Sequence, residues 1–394
     1  MYPLAATPPR FVRPLSEICI EVVSSNFEQL PDFGNVGLKY VKRITESLSL
    51  DLPLELAGTL IEDERYWERR SKSRWKNCEV TAHGNSWRQL YFEKNLETCL
   101  EQFDPSVSEL NDLRRLMTFS RKFIRSINLK QLPSHLDLQV IFETMHTSPV
   151  SFALMYGMQN VGMDYDRSLF GMKLSDCRSL AKALERTETL TYLNLSNNLL
   201  DDDKTRMIAS GMVENISITQ LDLSHNKIAD RGVRALVKLL DNRSVISILN
   251  LADNQIHSEG GRALARAIRG NSSLISLNVR LNRLGDDGGR TICDVLRANQ
   301  VLERLNIGSN QLGPLTVQSI SALLRLNHRM TELHLSGNSF DEQGGRLIRE
   351  ALDENTALRK FDIRLSHIHP DDQLAIEEIM LSRAERLERT RILS

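Results

Sequence analysis

The sequence has few of the residues on which disulfide frameworks and membrane spans depend. Its 394 residues include five cysteines, which are scattered, odd in number and never spaced as Cys-x-x-Cys. Free thiols in a reducing compartment are therefore expected. No apolar run approaches the roughly 20 residues that a bilayer-spanning helix needs, and the N-terminal residues lack the apolar region of a secretory signal. We expect a cytoplasmic protein or one attached to a cytoplasmic structure.

Neither sign of charge is in excess. The chain has 50 basic and 51 acidic side chains, with a formal net charge of −1. No global field would attract nucleic acid or an anionic membrane, so neither is expected as a partner. Apolar residues make up 41% of the chain, which permits a packed core and argues against wholesale disorder.

Motifs that carry catalysis are also missing. The sequence has no phosphate-binding glycine loop, dinucleotide fingerprint, zinc-protease helix or nucleophile elbow. His83 follows Cys78 by five residues, but a zinc site usually needs three or four ligands. Asp202 and its two acidic neighbours fall at a predicted helix start, where the helix dipole favours them. We expect no catalytic residue, no cofactor and no metal, and hence a protein that is not an enzyme.

What the sequence does contain is a repeat of 28 residues. Each copy follows the frame L-x-x-L-x-L-x-x-N-x-L, and the first copy runs from Leu190 to Leu200. A seventh copy has Ser366 in place of Asn. A fixed period with this pattern indicates leucine-rich repeats. The asparagines form a ladder of Asn198, Asn226, Asn254, Asn282, Asn310 and Asn338.

The two halves of each repeat predict a short strand and a helix. We expect the ladder amides to satisfy backbone groups of their own turn and of the neighbouring coil. In the second half, apolar residues such as Leu264 and Ile268 recur in two series four residues apart, which places them on one helix face. This 28-residue coil resembles the ribonuclease-inhibitor-like class, which implies an α/β horseshoe with a parallel sheet on its concave side and helices outside.

The repeat also predicts the helix ends. Equivalent N-cap positions hold Asp202, Asp230, Ser258, Asp286, Pro314, Glu342 and Pro370. Left-handed C-caps, which favour asparagine, are predicted at Asn215, Asn271, Asn299, Asn327 and Asn355.

The segment before the repeats predicts a small helical bundle. It holds all three tryptophans, Trp67, Trp75 and Trp87. These side chains are expected in the bundle core, although a tryptophan in the arginine-rich stretch 65–74 is also a candidate partner anchor. The predicted divisions are an extended lead-in at 1–14, the helical N-terminal domain at 15–123, degenerate leading repeats with an insertion at 124–173, regular leucine-rich repeats at 174–370 and a C-terminal capping helix at 371–394.

Exposed strand positions supply the candidate protein-interaction surface. They are polar or small, with basic character towards the C-terminus, which fits either a solvated sheet or a docking surface for a protein with an acidic patch. The candidate residues are Asn194, Asp222, Asn250, Asn278, Arg280, Arg304, Asn306, His334, Arg359, Asp362 and Arg364.

Two irregular segments carry a family resemblance. Residues 51–97, DLPLELAGTLIEDERYWERRSKSRW followed by GNSWRQLYFEKNLE, and residues 162–184, GMDYDRSLFGMKLSDCRSLAKAL, resemble the T-complex-associated testis-expressed protein 1 family, which is dynein regulatory complex subunit 5. The resemblance implies a non-catalytic scaffold subunit of the nexin–dynein regulatory complex in the axoneme of cilia and flagella. It also implies partners: other subunits of that complex and, through them, doublet microtubules and dynein arms.

Two alternatives come from other classes. Leu52 to Leu56, followed by helices and Trp87, resembles an F-box ahead of leucine-rich repeats, which would imply a substrate receptor of a cullin-type ubiquitin ligase. A Ran-type GTPase-activating protein shares the repeat length but usually has an acidic tail, whereas this chain ends in arginine-rich sequence.

Overall fold

The computed structural model describes residues 13–133, 136–145, 148–158 and 170–393, with side chains to residue 386. The chain divides into two compact units, Met1–Leu96 with Lys122–Arg125 and Glu97–Arg121 with Ser126–Ser394. The division differs from the predicted boundary after residue 123, because residues 97–121 group with the repeats. Most of the predicted lead-in and of the predicted insertion lies outside the described residues.

The first unit is helical and packs around aromatic side chains. Its helices are α1 (Leu15–Ser25), α2 (Leu38–Ser47), α3 (Leu54–Leu60), α4 (Glu64–Arg74) and the first part of α5 (Trp87–Glu101). Trp67 is fully buried, and its indole N–H donates to the Ile61 carbonyl oxygen at 2.9 Å. The guanidinium of Arg70 lies 4.9 Å from the centre of the Tyr91 ring. Trp67 is therefore a core residue, and the hypothesis that it anchors a partner is wrong.

The second unit contains a nine-stranded parallel sheet whose strands lie in chain order. Its helices line the other side of each coil, so one strand and one helix alternate along the chain. The strands are β1 (Ser126–Leu132), β2 (Ser151–Tyr156), β3 (Tyr192–Asn194), β4 (Gln220–Asp222), β5 (Ile248–Asn250), β6 (Ser276–Asn278), β7 (Arg304–Asn306), β8 (Glu332–His334) and β9 (Lys360–Asp362). The helices are α6 (Leu110–Ser120), α7 (Leu138–Thr144), α8 (Leu174–Leu184), α9 (Asp202–Met212), α10 (Asp230–Leu236), α11 (Ser258–Gly270), α12 (Gly285–Leu296), α13 (Pro314–Leu326), α14 (Glu342–Glu354) and α15 (Pro370–Leu393).

Strand register follows the 28-residue period from β3 onward. Leu193 pairs with Leu221, and Leu221 pairs with Leu249. In each of these strands the central leucine is buried between two half-exposed neighbours, or one exposed and one half-exposed neighbour in β4, as alternation in a strand requires. The spacing is irregular before β3, where Ser126 pairs with Ser151 and Ser151 pairs with Tyr192.

The ladder asparagines are buried and bridge adjacent coils. The side-chain amide of Asn282 donates to the carbonyl oxygens of Leu251, in the preceding coil, and Val279, at 2.9 and 3.0 Å. Its side-chain oxygen accepts the backbone N–H of Ile256 at 3.0 Å. One side chain thus satisfies groups in two coils, in a place that excludes water.

The N-cap predictions are wrong in position. Six of the seven predicted residues are the first residues of their helices, Asp286 is the second residue of α12, and the three aspartates among them bind the start of the next helix. Asp230 is the first residue of α10, yet its carboxylate accepts the backbone N–H groups of His257 and Gly260, at 2.8 and 2.9 Å, at the start of α11. Asp202 and Asp286 do the same for the helices that follow them. A Cβ atom at Gly260 would lie 2.7 Å from the Asp230 carboxylate, so glycine is needed there.

The predicted left-handed C-caps are wrong. Asn271, Asn327 and Asn355 have extended backbones, with φ of −80°, −96° and −79°. They act through their side chains instead. The Asn327 amide donates to the Leu296 carbonyl of the preceding coil at 2.7 Å, and its side-chain oxygen accepts the Met330 N–H at 2.8 Å. These residues form a second ladder at the helix ends, because a carboxamide both donates and accepts.

Side chains bind backbone groups at the first edge of the sheet and in the last coil. At the first edge, the carboxylate of Glu97 accepts the Asn128 N–H at 2.7 Å, and that of Glu101 accepts the Lys130 N–H at 2.6 Å. Both glutamates lie on α5, which explains why its last residues group with the repeats. In the last coil, the Arg383 guanidinium of α15 donates to the carbonyl of Leu358, in the turn before β9, at 3.3 Å. Unpaired backbone groups at a sheet edge otherwise invite pairing with another chain.

Candidate partner-binding surface

The sheet face is defined here as the first and third residues of β3–β9 together with the residue two positions after the third. Alternation places these side chains on the side of the sheet away from the central leucines. Of the candidate residues, all but Arg359 lie on this face. Arg359 stands just before β9, at the opposite end of that strand from Arg364.

The middle row of the sheet face has a structural role that explains its composition. The side-chain oxygen of Asn194 accepts the Ser196 N–H at 2.8 Å, and that of Asn278 accepts the Arg280 N–H at 3.1 Å. The same bond, to the residue two positions on, occurs at Asp222, Asn250, Asn306 and Asp362. These side chains hold the turn after the strand, as Asx residues commonly do. Their polarity alone is therefore not evidence of a partner.

Charge is distributed unevenly along the sheet face. Across β3–β5 the face carries one carboxylate, Asp222, and no cation. Across β6–β9 it carries four cations and two carboxylates, which are Arg280, Arg304, Lys360, Arg364, Glu332 and Asp362. The basic side chains predicted towards the C-terminus thus lie on the four strands β6–β9.

Both carboxylates in this part are already ion paired. Asp362 accepts two hydrogen bonds from the Arg364 guanidinium, at 2.8 and 3.0 Å. These bonds hold the pKa of Asp362 at about 2, well below its usual value. The ammonium of Lys360 lies 2.9 Å from the Glu332 carboxylate. Within the described residues, Arg280 and Arg304 make no ion pair, so an excess of positive charge remains.

Two residues on the rim of this surface were not singled out from the sequence. The residue just before each ladder position has a left-handed backbone in all seven coils, with φ between 51° and 72°. Five coils place Asn, His, Asp, Ser or Gly there, whereas two place Leu281 and Leu365. Both leucines are exposed, at 43% and 81% of their surface. Alignment of the repeats would have revealed them, because each follows an arginine where the other coils have a small residue.

Other kinds of site receive no support from the described ranges. No three His, Cys, Asp or Glu side chains in them are grouped closely enough to hold a metal ion. No helix in them combines the length and apolar character needed to cross a membrane. Burial raises the pKa of Cys293 to about 12, which keeps this thiol protonated and unreactive at neutral pH.

Comparison with known proteins supports the repeat fold. A family model described as "Leucine Rich repeat" matches residues 214–237, 245–265, 270–293 and 298–321. These segments lie in the regular coils, and the predicted leucine-rich repeat solenoid is confirmed. Among solved structures, an internalin from Listeria monocytogenes is similar with a TM-score of 0.36 and 14% identity, covering 73% of this chain and 92% of that one.

Curated relatives carry one name. The chain is 64% identical over 199 residues to dynein regulatory complex subunit 5 of Chlamydomonas reinhardtii, covering 50% of this chain and 51% of the relative. It is 32% identical over 230 residues to the subunit of that name in Mus musculus, covering 51% and 46%. The chain thus spans about half the length of the curated relatives it matches. It is a leucine-rich repeat protein that resembles dynein regulatory complex subunit 5 over about half of its length, as the sequence predicts.

Proposed function

We propose that this protein is a non-catalytic scaffold subunit of the nexin–dynein regulatory complex in the axoneme of cilia and flagella. The observation that carries the proposal is the 64% identity to the Chlamydomonas reinhardtii subunit over 199 residues. In that role it would help to link neighbouring outer doublet microtubules and to regulate dynein-driven sliding. Its direct partners would be other subunits of the complex. Through those subunits it would be connected to doublet microtubules and dynein arms.

The construction of the coils supports a scaffold role. Adjacent coils are joined by strand pairing and by two asparagine ladders, one after the strands and one after the helices. Buried and fully satisfied polar networks make a structure rigid and specific. A rigid coil holds surface residues at constant spacing, which a protein that positions partners in a larger assembly requires. Leucine-rich repeats use the same architecture for extended binding surfaces.

The proposal is tested by fractionating cilia. A tagged copy would be expressed in ciliated cells that lack the endogenous protein, and the isolated cilia would be extracted with detergent. We expect the protein to stay with the doublet microtubules, as tubulin does, because a linker subunit is bound to the axoneme. Release into the detergent-soluble fraction, alongside a soluble matrix protein, would contradict the proposal.

The F-box alternative is not favoured. The relatives reported above are named as dynein regulatory complex subunits. In addition, Leu52, the first residue of the resembling segment, is 97% buried in the helical unit and accordingly serves its core. Because Leu52 is buried in that core, its apolar character needs no adaptor protein to explain it.

A further inference from the structure

Two coils depart from the others in the same way. After the strand, β6 continues with Val279-Arg280-Leu281-Asn282, and β9 continues with Ile363-Arg364-Leu365-Ser366. The two coils between them have Gly308-Ser309 and Ser336-Gly337 at the positions of the Arg-Leu pairs. Bulky pairs therefore flank a stretch of small residues on one side of the sheet.

The leucines are unfavourable choices at these positions. Leu281 and Leu365 have φ of 57° and 56°, in the left-handed region where a branched side chain is strained. Their side chains are also exposed, at 43% and 81% of their surface, so burial in the isolated chain offsets little of that strain at Leu365 and only part of it at Leu281. Strained residues tend to occur where function requires them. A partner that covers these side chains would supply the missing burial.

The small residues between the two Arg-Leu pairs leave no large side chain projecting from that part of the surface. A Cβ atom at Gly308 would lie 2.9 Å from the backbone oxygen of Ser336, so a side chain at this position would not fit. At Gly337, φ is +72° and a Cβ atom would lie 2.5 Å from the Ser309 hydroxyl. The four residues form the floor of a depression with an Arg-Leu pair on each side, here called the trough.

The trough has the dimensions of a secondary-structure element. Its two sides belong to strands three steps apart in the sheet. Since neighbouring strands lie about 4.8 Å apart, the two sides are separated by about 14 Å. An α-helix with its side chains is about 10–12 Å across. A helix that lies on the floor would contact a leucine on both sides.

Charge defines the partner further. The sheet face of β6–β9 has twice as many cations as carboxylates, both carboxylates are paired, and Arg280 and Arg304 have no ion pair in the described part of the chain. Acidic side chains complement such a surface and speed association with it. The face of β3–β5 has neither the cations nor an Arg-Leu pair.

We propose that the trough binds an amphipathic α-helix of a partner protein, with apolar side chains on the leucines and acidic side chains beside the arginines. This inference rests on the proposed role as a subunit of an assembly and specifies the site and the chemistry of one contact. The grouped apolar anchors of such a helix would recur at intervals of three and four residues.

A binding assay with the purified full chain tests the proposal. The probe is a fluorescein-labelled synthetic peptide of about 18 residues, long enough to form a helix, with leucines on one face and glutamates beside them. Its controls carry lysine in place of glutamate, or a central proline that breaks the helix. Fluorescence anisotropy should show that the acidic helical peptide binds and that both controls bind at least about tenfold more weakly.

Variants locate the site. Leu281→Asn combined with Leu365→Asn, and separately Arg280→Glu, should each weaken binding of the acidic peptide about tenfold, the loss expected for an anchor residue. Matched controls are Leu315→Asn and Arg346→Glu, an exposed leucine and an exposed arginine on helices α13 and α14. These control variants should bind the peptide as the native chain does.

Thermal unfolding separates binding from folding. The double leucine variant should unfold at a higher temperature than the native chain, because asparagine tolerates the left-handed backbone that leucine does not. Weaker binding by a more stable protein cannot result from misfolding.

Several outcomes would overturn the proposal: no binding of the acidic peptide, equal binding of either control peptide, or native affinity in the trough variants. Self-association of the chain that the double variant abolishes would instead assign the trough to a second copy and would also overturn it. The assay contains no axoneme, so its failure leaves the proposed function intact. Conversely, a soluble ciliary location together with specific peptide binding would overturn only the axonemal role.

Discussion

The leading repeats and the regular coils build one continuous sheet in two different ways. Strands β1 and β2 are seven and six residues long, and they are joined by five register pairs of backbone residues. Each strand from β3 to β9 has three residues and three register pairs per neighbour. In the regular coils backbone bonds between coils continue just past the strand, as from the Leu251 N–H to the Asn278 carbonyl at 2.7 Å, and a buried asparagine adds side-chain bonds between the coils.

The junction between β2 and the first regular coil shows how side-chain bonds join a long strand to a short one. Asn198, the first member of the ladder, donates to the Leu154 carbonyl at 2.8 Å and accepts the Tyr156 N–H at 2.7 Å. Both partners belong to β2, which lies before the repeats. A side chain can therefore replace backbone pairing, provided that it both donates and accepts. Short strands are stable in this fold because backbone bonds in the following turn and the ladder side chains together satisfy the groups that lie beyond the strand.

The largest effect is expected for Asn282→Ala, which tests whether the ladder amides stabilise the regular coils. The change should lower the free energy of unfolding by about 1–3 kcal/mol, the cost of leaving buried backbone groups unsatisfied. Urea unfolding followed by circular dichroism measures the loss. Ser366→Ala at the last coil is the control, since its hydroxyl makes a single long bond of 3.4 Å to the Arg364 carbonyl. Equal losses in the two variants would show that the ladder amide has no special role.

The next test concerns the cap that Asp230 of α10 provides for the start of α11. Asp230→Ala should cost about 1 kcal/mol, as loss of a helix cap does, although Asp230 itself belongs to the preceding helix. Ser258 occupies the same repeat position and is the matched control, for which Ser258→Ala should cost less. Hydrogen exchange should show faster exchange at the start of α11 in the Asp230 variant. Faster exchange confined to α10 would mean that Asp230 caps its own helix.

A substitution at the first edge of the sheet tests the leading repeats in the same way. Glu97→Ala removes the acceptor for the Asn128 N–H but leaves that group near water, so the loss should be about 0.5–1.5 kcal/mol, below that of Asn282→Ala. The uncovered edge should also favour self-association, which light scattering would detect. Glu97→Gln keeps an acceptor oxygen and should restore most of the stability. A loss as large as that of Asn282→Ala would show that the edge is as dry as the ladder.

The last test concerns the last coil at low pH. The pKa of Asp362 is about 2 in the folded chain and about 3.9 in an unfolded one. Between these values the unfolded state binds more protons, so stability should fall as pH decreases from about 5 to 2. Melting temperatures of the native chain and of Asp362→Asn should converge over this range. A constant difference between them would show that the bonds from Arg364 do not stabilise the folded state.

Local patterns predicted the period, the strand–helix alternation and the ladder positions, because these depend on residues within one repeat. The errors arose where a side chain acts on a neighbouring coil. Asp230 has the composition of an N-cap, but its partners lie 27 and 30 residues away. Asn327 has the composition of a left-handed C-cap, but the carbonyl of Leu296 gives it a better partner. No window within one repeat contains such pairs.

For the candidate partner-binding surface, too, the sequence predicted positions but not the roles of the side chains. Its residues could be selected from the sequence because strand alternation determines which side chains lie on the sheet face. Their roles could not, since Asn278 and its equivalents hold turns whereas Arg280 remains without an ion pair in the described residues. Aligned repeats would single out Leu281 and Leu365, but only the backbone angle shows that they are strained.

The sequence by itself thus determined the 28-residue coil, the buried leucines, the ladder and the family resemblance, because hydrophobic period and motif are properties of the chain. The tertiary structure decided which coil each polar side chain serves, how the first edge of the sheet is covered and where charge and strain coincide. The physical reason is that hydrogen bonds and ion pairs depend on distance in space. In a stacked repeat the nearest partner in space is commonly one full coil away along the chain.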